Sequence, residues 1–566
     1  MDDDRDWDGY QVQRRRNLAP PNADVARRRQ LTVLAVGIIA IVGAIALVAS
    51  LLSGGGDDGN GGSPTAQGES DGGTEEIVAG EEGAAEEPAD PRQVAVPPEE
   101  GELVNPASSG HVWSDEVPGI LTFRGNPTRT YYGRGAVPAA PKVEWLYPQD
   151  GGMCSSSSAK GVTKTWCGMG WTGQPAVFER DGRTWVVFGA YDGAVHFMDA
   201  DTGEEILPPL ETGDIIKGSV TVDPNGYPIV YSGSRDNYLR AIAIDRPGQA
   251  VELWRLSADA VSPTLWNNDW DGSPLVLDDF LLEGGENSQF HMVKLNRGYG
   301  ADGLVTVDPS LVFNTPSWDQ QVINDLAGNR ANEMSIENSV AVSGNTVYWA
   351  NSGGLVMGWD LRPLVDGTGQ PEQTFRFWAG DDTDASIVID AEGFLYVSVE
   401  YERGNARAEE VGQLVKLDPR KPDDPIVWSY DDRVAATAGF WGTPALHDGV
   451  VINATNGGKL VALDQQSGEE RWSIDLTGPT WQSPVVVDDV LVYGDCNGVL
   501  RGYDVSDTTV VPPQLWEVAL GGCIEATPAV WDGRIFLGTR GGRFFALSDA
   551  GTLTSPTAEL SGGGGE

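Results

Sequence analysis

Twelve side chains with acidic, basic, amide or indole groups stand just before apolar runs that predict β-strands. Carboxylates and amides are the hard oxygen ligands that Ca²⁺ prefers, and indole rings offer flat surfaces on which a planar ligand could stack. The alternative is structural, because Trp often packs between neighbouring elements and Asp and Asn cap turns through the backbone. The candidate ligand-binding residues are Trp171, Lys217, Asp269, Trp270, Asp271, Glu337, Asn338, Asp382, Asp384, Trp441, Trp481 and Glu525.

The sequence contains no complete catalytic motif. Its histidines, His111, His196, His291 and His447, are scattered, and none forms HExxH or a triad with a nucleophile elbow. Gly457-Gly458 and Gly541-Gly542 predict hairpin turns rather than a phosphate-binding loop. We therefore assign no catalytic residue from the sequence.

The net charge of −45 at pH 7 limits the possible partners. A field of this sign repels nucleic acid and anionic lipid headgroups, so we expect no DNA or RNA partner. A solvated, soluble surface is the simplest interpretation of the charge, and a role in holding cations is the alternative.

A run of apolar residues near the N-terminus, Leu31 to Leu52, has the length of a membrane span and no charged residue. It is longer than a secretory h-region and has no clear cleavage site, which predicts a retained signal-anchor. Arginines precede it and Asp57 and Asp58 follow, so we expect a cytoplasmic N-terminus, a single-pass cell-membrane location and an extracytoplasmic main domain. The arginines are Arg14, Arg15, Arg16, Arg27, Arg28 and Arg29.

An internal repeat fills the rest of the chain. Eight units each begin with Pro or Ser entering an apolar alternation, followed by a second strand, a Gly-containing turn and a third strand ending near Asp. Trp residues mark the fourth strand, at Trp254, Trp378, Trp428, Trp472 and Trp516. This spacing predicts an all-β, eight-bladed β-propeller of four-stranded blades, preceded by one transmembrane helix and a disordered linker.

The last unit lacks a Trp-marked fourth strand, and a lone strand, Val143 to Tyr147, precedes the first unit. We expect that early strand to complete the eighth blade and close the ring. The predicted organisation is a basic tail (1–30), a transmembrane helix (31–52), an acidic flexible linker (53–105), the propeller (106–552) and a disordered tail (553–566).

In a propeller the first strand of each blade lines the central channel, so the candidate residues should crowd around one mouth. Cys496 and Cys523 fall on loops of that same face, which predicts a Cys496–Cys523 disulfide. Cys154 and Cys167 could close one loop there as a Cys154–Cys167 disulfide. Free buried cysteines are the alternative, and a zinc site is not expected because no two cysteines have finger spacing.

The run from Asp464 to Trp472 resembles the pyrroloquinoline-quinone (PQQ) type propeller repeat, A-x-D-x-x-T/S-G-x-x-x-W. Asp199 to Glu204 matches its first half, and Phe123 to Arg129 is similar to segments that precede the first blade in such proteins. The family includes quinoprotein dehydrogenases and cofactor-free BamB-like scaffolds.

If this chain acts as a quinoprotein, the resemblance implies PQQ and Ca²⁺ in the channel, with Glu337, Asn338 and Asp384 as weak candidate calcium ligands. The chain has no adjacent cysteine pair, which many of those enzymes carry over the cofactor. Our leading hypothesis is a membrane-tethered, non-catalytic binding or scaffold propeller for a protein or envelope ligand. The alternative is a membrane-bound PQQ- and calcium-dependent alcohol or sugar dehydrogenase.

Overall fold

Eight four-stranded antiparallel sheets follow one another along the chain and form an eight-bladed β-propeller. The structure is a computed structural model and describes residues 90–159, 161–433 and 438–552. In seven blades the four strands are adjacent in chain order, and in the eighth an early strand takes the fourth position. The first three strands are almost entirely buried, because both faces of a blade pack against neighbouring blades.

Blades one to four have these strands: Ala176–Arg180, Arg183–Gly189, Ala194–Asp199 and Glu205–Glu211; Thr221–Val222, Ile229–Ser232, Tyr238–Ala243 and Val251–Ser257; Leu275–Leu277, Phe280–Gly285, Gln289–Lys294 and Ser310–Pro316; Ala341–Ser343, Thr346–Trp349, Leu355–Asp360 and Glu372–Trp378.

Blades five to eight have these strands: Val388–Ile389, Leu395–Ser398, Leu414–Leu417 and Ile426–Tyr430; Ala445–His447, Val450–Ala454, Lys459–Asp464 and Glu470–Asp475; Val485–Val487, Val490–Gly494, Val499–Asp504 and Gln514–Ala519; Ala529–Trp531, Arg534–Thr539, Arg543–Ser548 and Lys142–Tyr147.

The remaining elements are short. Gly119–Ile120 and Gly133–Arg134 pair with the first strands of blades one and eight. Two-stranded pairs are Cys154–Ala159 with Val162–Cys167, Gly298–Tyr299 with Val305–Thr306, and Glu400–Tyr401 with Ala438–Gly439. Helices span Gln320–Asp325, Arg362–Val365 and Ala406–Val411, with 3₁₀ turns at Pro91–Gln93, Pro106–Ser108 and Ala258–Ala260.

The ring closes in blade eight, as predicted. Lys142–Tyr147 pairs antiparallel with Arg543–Ser548, so that an early strand completes a blade whose other three strands come last in the chain. This pairing gives the last blade the same four-stranded composition as the others. Strand edges are therefore left at the outer rim of the ring rather than between the first and last blades.

The Asp-to-Gly turns of the repeat form contacts between neighbouring blades. The Oδ1 atom of Asp464 accepts hydrogen bonds from the backbone N–H groups of Gln466 and Ser467. The indole of Trp428, from the preceding blade, lies on Gly468 and donates its N–H to the carbonyl of Gln465 at 3.1 Å. Trp145 makes the equivalent contacts with Gly203 and Ala200 in blade one. The repeat motif therefore encodes a contact between blades.

The segment before the first blade runs through the centre of the ring. Arg124 and Arg129 are fully buried there. Arg129 donates to the carbonyls of Phe123 (2.9 Å), Val340 (2.9 Å from Nε) and Ser273 (3.2 Å), and Arg124 donates to the carbonyl of Pro444 and to that of Pro484. Apart from the carbonyl of Phe123, these acceptors lie next to the first strands of different blades, so the segment connects several blades.

Part of the segment that the sequence predicts as a flexible linker is ordered. Leu103 and Val104 are buried against the core of blades three and four, and Val104 pairs with Gly344. The composition of this segment is polar overall. The apolar surface that Leu103 and Val104 bury offsets part of the conformational entropy that is lost when the segment is ordered.

The predicted single-pass membrane location requires correction. In the part of the chain that the structure describes, we find no helix with the length and apolar character that a bilayer crossing demands. The segment from Leu31 to Leu52, on which that prediction depends, lies outside the described residues, as do residues 1–30, most of the predicted linker and the tail from 553.

Candidate functional site

Acidic and basic side chains from several blades meet around the end of the channel where the first strands begin. Lys217 precedes the first strand of blade two, and Asp269 and Asp271 precede that of blade three. Glu286 follows directly after the second strand of blade three. The turn after a second strand and the approach to a first strand lie on the same face of a blade, which brings these four residues together.

Asp269, Asp271 and Glu286 form a cluster that we call the blade-three triad. One carboxylate oxygen from each lies within 4.8 Å of the others. Lys217 places its ammonium among them, with Nζ 3.1 Å from Asp269, 2.5 Å from Asp271 and 2.8 Å from Glu286. All four side chains are buried. The protein's own lysine therefore fills this triad.

Burial and neighbouring charges shift the pKa values of the acids in this cluster. Burial raises the pKa of Asp271 well above its usual range, and the charge of Asp269 adds to the shift. Burial alone would also raise the pKa of Glu286, but Lys217 and Arg235 outweigh it and lower that pKa. Arg235 also donates from Nε to Asp269 at 2.8 Å. The cluster is thus a compensated ionic network in which burial and the charge of Asp269 disfavour the charged form of Asp271.

A second cluster, the blade-five triad, consists of Asp382, Asp384 and Glu400. It has the same composition, because an Asp-x-Asp run precedes the first strand and a Glu stands just after the second strand. One oxygen from each again lies within 4.8 Å of the others, and all three are buried. Asp382 pairs with Arg403 at 3.8 Å.

Asp384 is the member of this triad whose surroundings are most unusual. Its side chain is 2% exposed, and it lies within hydrogen-bonding reach of the carboxylate of Asp382. Burial raises its pKa well above the usual range, and the charges of Asp382, Glu337 and Glu400 add to the shift. Burial among other carboxylates therefore disfavours the charged form of Asp384.

Glu337 and Asn338 lie beside these groups but differ in what they can still bind. Burial raises the pKa of Glu337 to about 7, and its Oε1 accepts a hydrogen bond from Ser335 at 2.6 Å. Asn338 donates to the carbonyls of Ala350 and Thr383 at 2.9 and 3.0 Å, and its oxygen accepts from the backbone N–H of Ala350. The amide of Asn338 therefore holds backbone rather than presenting an oxygen to a metal.

Three of the predicted tryptophans lie against one another. The rings of Trp441 and Trp481 stack with centroids 4.9 Å apart, and Trp171 lies 6.5 Å from Trp441. Trp171 and Asp384 line the same axial cavity, together with Phe123 and hydroxyl side chains. The volume of this cavity is about 10 Å³, which suits one water-sized group.

The other two predicted residues lie elsewhere. Trp270 is fully buried, with its ring 4.9 Å from that of His291 in the core of blades two and three. Glu525 pairs with Arg540 at 3.1 Å and lies next to the Cys496–Cys523 bridge. Both predicted disulfides, Cys154–Cys167 and Cys496–Cys523, are confirmed.

The sequence reasoning missed Glu286, Glu400, Arg235 and Arg403. The predicted residues all precede a first strand, whereas Glu286 and Glu400 follow a second strand. The recurrence of Asp-x-Asp with a later Glu in two blades is the signal that would have revealed the two glutamates.

The residues around the mouth fit a cation better than they fit PQQ. Asp382, Asp384 and Glu400 converge as hard oxygen ligands would. A planar quinone needs a slot between flat surfaces, but Trp441 and Trp481 already stack on each other. Of the predicted calcium ligands, Asn338 is committed to backbone groups.

The fold and the repeat resemble those of PQQ-type β-propellers. Residues 410–511 match the model of the family described as outer membrane protein assembly factor BamB. The dehydrogenase subunit of the quinone alcohol dehydrogenase of Gluconobacter oxydans is 30% identical over 122 residues. That match covers 22% of this chain and 12% of the relative.

Two solved structures are similar to this chain to different degrees. Quinohemoprotein alcohol dehydrogenase from Comamonas testosteroni is 15% identical, with 78% of this chain and 82% of that chain covered and a TM-score of 0.50. BamB from Moraxella catarrhalis is 14% identical, with 73% and 99% covered and a TM-score of 0.37. Similarity at this level concerns the fold alone.

Proposed function

We propose that this chain is a non-catalytic binding or scaffold propeller that holds a protein or envelope ligand at the acidic mouth of its channel. The observation that carries the proposal is the stacking of Trp441 on Trp481, which occupies the flat surfaces that a quinone would need. The commitment of Asn338 to backbone carbonyls and of Lys217 to the blade-three triad supports it further. Rigid blades and a broad face suit such a role.

The second candidate is a dehydrogenase for an alcohol or sugar that uses PQQ and Ca²⁺. The convergence of Asp382, Asp384 and Glu400 favours it, since three carboxylates could hold a divalent cation. The name of the Gluconobacter oxydans relative points the same way for that protein. Both candidates use the same mouth, so one set of measurements separates them.

The deciding experiment adds PQQ and Ca²⁺ to the purified full chain and measures quenching of tryptophan fluorescence and dye-linked oxidation of alcohols and sugars. We expect no saturable quenching and no turnover. Saturable PQQ binding with turnover would overturn the scaffold proposal.

A photo-crosslinking amino acid tests the scaffold role directly. It replaces Trp481 at the mouth in one variant and Val511 in the other, which is 60% exposed in the loop between the third and fourth strands of blade seven. We expect one discrete adduct in cells from position 481 and none from position 511. Equal labelling at both positions, or none at either, would contradict a binding function at the mouth.

A further inference from the structure

A histidine and two aspartates meet on the face of the propeller opposite the mouth. The first strand of blade six begins near the mouth and ends at His447, so the turn that follows lies on the other face. Asp448 stands in that turn, and Asp489 stands in the equivalent turn of blade seven. One ligand atom from each of these three residues lies within 4.8 Å of the others. Two neighbouring blades therefore bring an imidazole and two carboxylates to one point.

His447 supplies an observation that the two exposed carboxylates do not. Its side chain is only 8% exposed, and its Nε2 atom is buried without a hydrogen-bond partner in the described part of the chain. That nitrogen lies 3.4 Å from Oδ1 of Asp489, which exceeds the roughly 2.7–3.2 Å of an N–H···O hydrogen bond. A buried polar atom without a partner is costly, so the Nε2 atom favours a further partner at this point.

The separation of 3.4 Å matches two ligands of one tetrahedral metal ion. Zinc binds histidine nitrogen and carboxylate oxygen at roughly 2.0–2.2 Å, so two of its ligands on a tetrahedron lie about 3.3–3.6 Å apart. An imidazole nitrogen suits zinc and other transition metals, whereas Ca²⁺ and Mg²⁺ prefer oxygen ligands. The pair of His447 and Asp489 therefore has the spacing and the chemistry of a zinc site.

The sequence of the turns also sets His447 apart. The first strand ends in a large apolar residue in three other blades whose next residue is Asp, at Leu277, Val487 and Trp531. In blade six the imidazole of His447 takes this place and lines a cavity of about 70 Å³ together with apolar side chains such as Val486. A residue that only filled this space could be apolar, so the ring nitrogen has a use of its own.

The arginine of this region is engaged beside the cluster rather than in it. Arg92 pairs with Asp90 at 3.0 Å and lies 3.8 Å from Asp488. It attracts Asp489 only at longer range. The ring nitrogen of His447 gains no acceptor or donor from it, since a guanidinium offers donors only and forms no hydrogen bond with that nitrogen.

We propose that His447, Asp448 and Asp489 bind a zinc ion, with water as the fourth ligand. The ion would join the turn of blade six to that of blade seven and so stabilise the folded ring. All four cysteines are in disulfides, so this site differs from the cysteine site that the cysteine spacing argues against. The inference goes beyond the proposed function, because the site lies on the opposite face from the mouth.

The test is calorimetric titration of the untagged full chain, freed of metal by a chelator, with ZnCl₂. We expect a saturable site and a melting temperature that rises with Zn²⁺, because the three ligands converge only in the folded state. Co²⁺ in place of Zn²⁺ should give the intense visible absorption of tetrahedral cobalt. Absence of saturable Zn²⁺ binding would overturn the proposal and leave His447 and Asp489 as an ion pair. Ca²⁺ binding at the same site with equal affinity would overturn the choice of metal.

Two variants locate the site. His447→Leu introduces the residue type found at Leu277, and Asp489→Asn changes a side chain that is 54% exposed, so both should fold. Each should weaken Zn²⁺ binding at least tenfold and abolish the cobalt absorption. His447→Leu should not lower the melting temperature of the metal-free protein, because it removes an unpartnered buried nitrogen.

Matched controls change the same residue types elsewhere. His111→Gln alters a histidine whose Nδ1 lies 3.2 Å from the carbonyl of Val94, and Asp424→Asn removes a charge from an exposed loop. Neither should change Zn²⁺ binding. Equal binding by His447→Leu and the unchanged protein would overturn the proposal. Such a result would leave the proposed function at the mouth untouched, since crosslinking from position 481 tests that function separately.

Discussion

The indole of Trp428 lies flat on Gly468 of the next blade, and its N–H donates to the carbonyl of Gln465 at 3.1 Å. Gly468 has a φ of +75°, a conformation that favours glycine. A β-carbon at this position would lie 2.6 Å from Cδ2 of Trp428. One residue thus serves both the turn and the contact between blades five and six.

We expect Gly468→Ala to destabilise the protein by about 3 kcal/mol, because it adds a clash with Trp428 to the strain of a positive φ. Equilibrium unfolding in urea, followed by tryptophan fluorescence, measures the change. Gly533→Ala is the matched control, since Gly533 has a φ of +81° and nothing within 4 Å of the added carbon. It should cost only about 1 kcal/mol. Equal costs would mean that the Trp428 contact contributes nothing.

Arg129 is expected to hold the central segment in place. Arg129→Met leaves the buried carbonyls of Ser273 and Val340 without their donor, which should cost about 3 kcal/mol. The segment from Gly119 to Arg134 should then become sensitive to limited proteolysis. Arg255→Met, at an exposed side chain paired with Glu252 at 3.6 Å, should change stability by less than about 0.5 kcal/mol. Unchanged proteolysis in Arg129→Met would contradict this role.

His291 should make the stability fall in acid. Burial lowers its pKa to about 4, so the folded state holds it neutral while the unfolded chain binds a proton below about pH 6.5. The stabilisation is therefore complete above pH 6.5 and is lost as the pH falls toward 4, by about 3 kcal/mol in all. His291→Phe keeps the ring against Trp270 and should flatten the unfolding free energy over this range. The same slope in both proteins would refute the assignment.

The Cys154–Cys167 bridge should stabilise the hairpin from Cys154 to Cys167. Replacing both cysteines by serine removes a short-loop crosslink worth about 3 kcal/mol in the chain-entropy model. Trp166 on this hairpin packs 5.4 Å from Tyr191 and 5.1 Å from the guanidinium of Arg540. We expect a lower melting temperature and a red-shifted emission from Trp166. No change on substitution or on reduction of the unchanged protein would contradict the prediction.

The architecture could be predicted from the sequence because each blade carries its own local signals. The apolar run Val485–Val487 and the Trp in most of the fourth strands, such as Trp516, are signals that depend only on neighbours along the chain. The strand that closes the ring could be predicted because the last repeat unit lacks a fourth strand and a lone strand precedes the first unit. The central path of Arg124 and Arg129 could not be anticipated, because their acceptors are carbonyls of blades far away in sequence.

The site was predictable in part. Lys217, Asp271 and Asp384 were predicted to lie near the channel mouth because each stands before a first strand. Glu286 and Glu400 were not predicted, since their distance from the channel mouth depends on where each second strand ends. Asn338 has the chemistry of a metal ligand, but its amide donates a hydrogen bond to the carbonyl of Thr383. This contact depends on the packing of two blades and could not be predicted from the sequence.

The pairing of Lys142–Tyr147 with Arg543–Ser548 has a consequence for how the protein is made. The strand that closes the ring leaves the ribosome early, and residues 148 to 542 must follow before its partner strand exists. At roughly 5–20 residues per second, that wait is on the order of half a minute. Throughout it, an apolar strand without its partner is exposed to other nascent chains. Chaperone capture during synthesis should therefore concentrate on the region around Trp145.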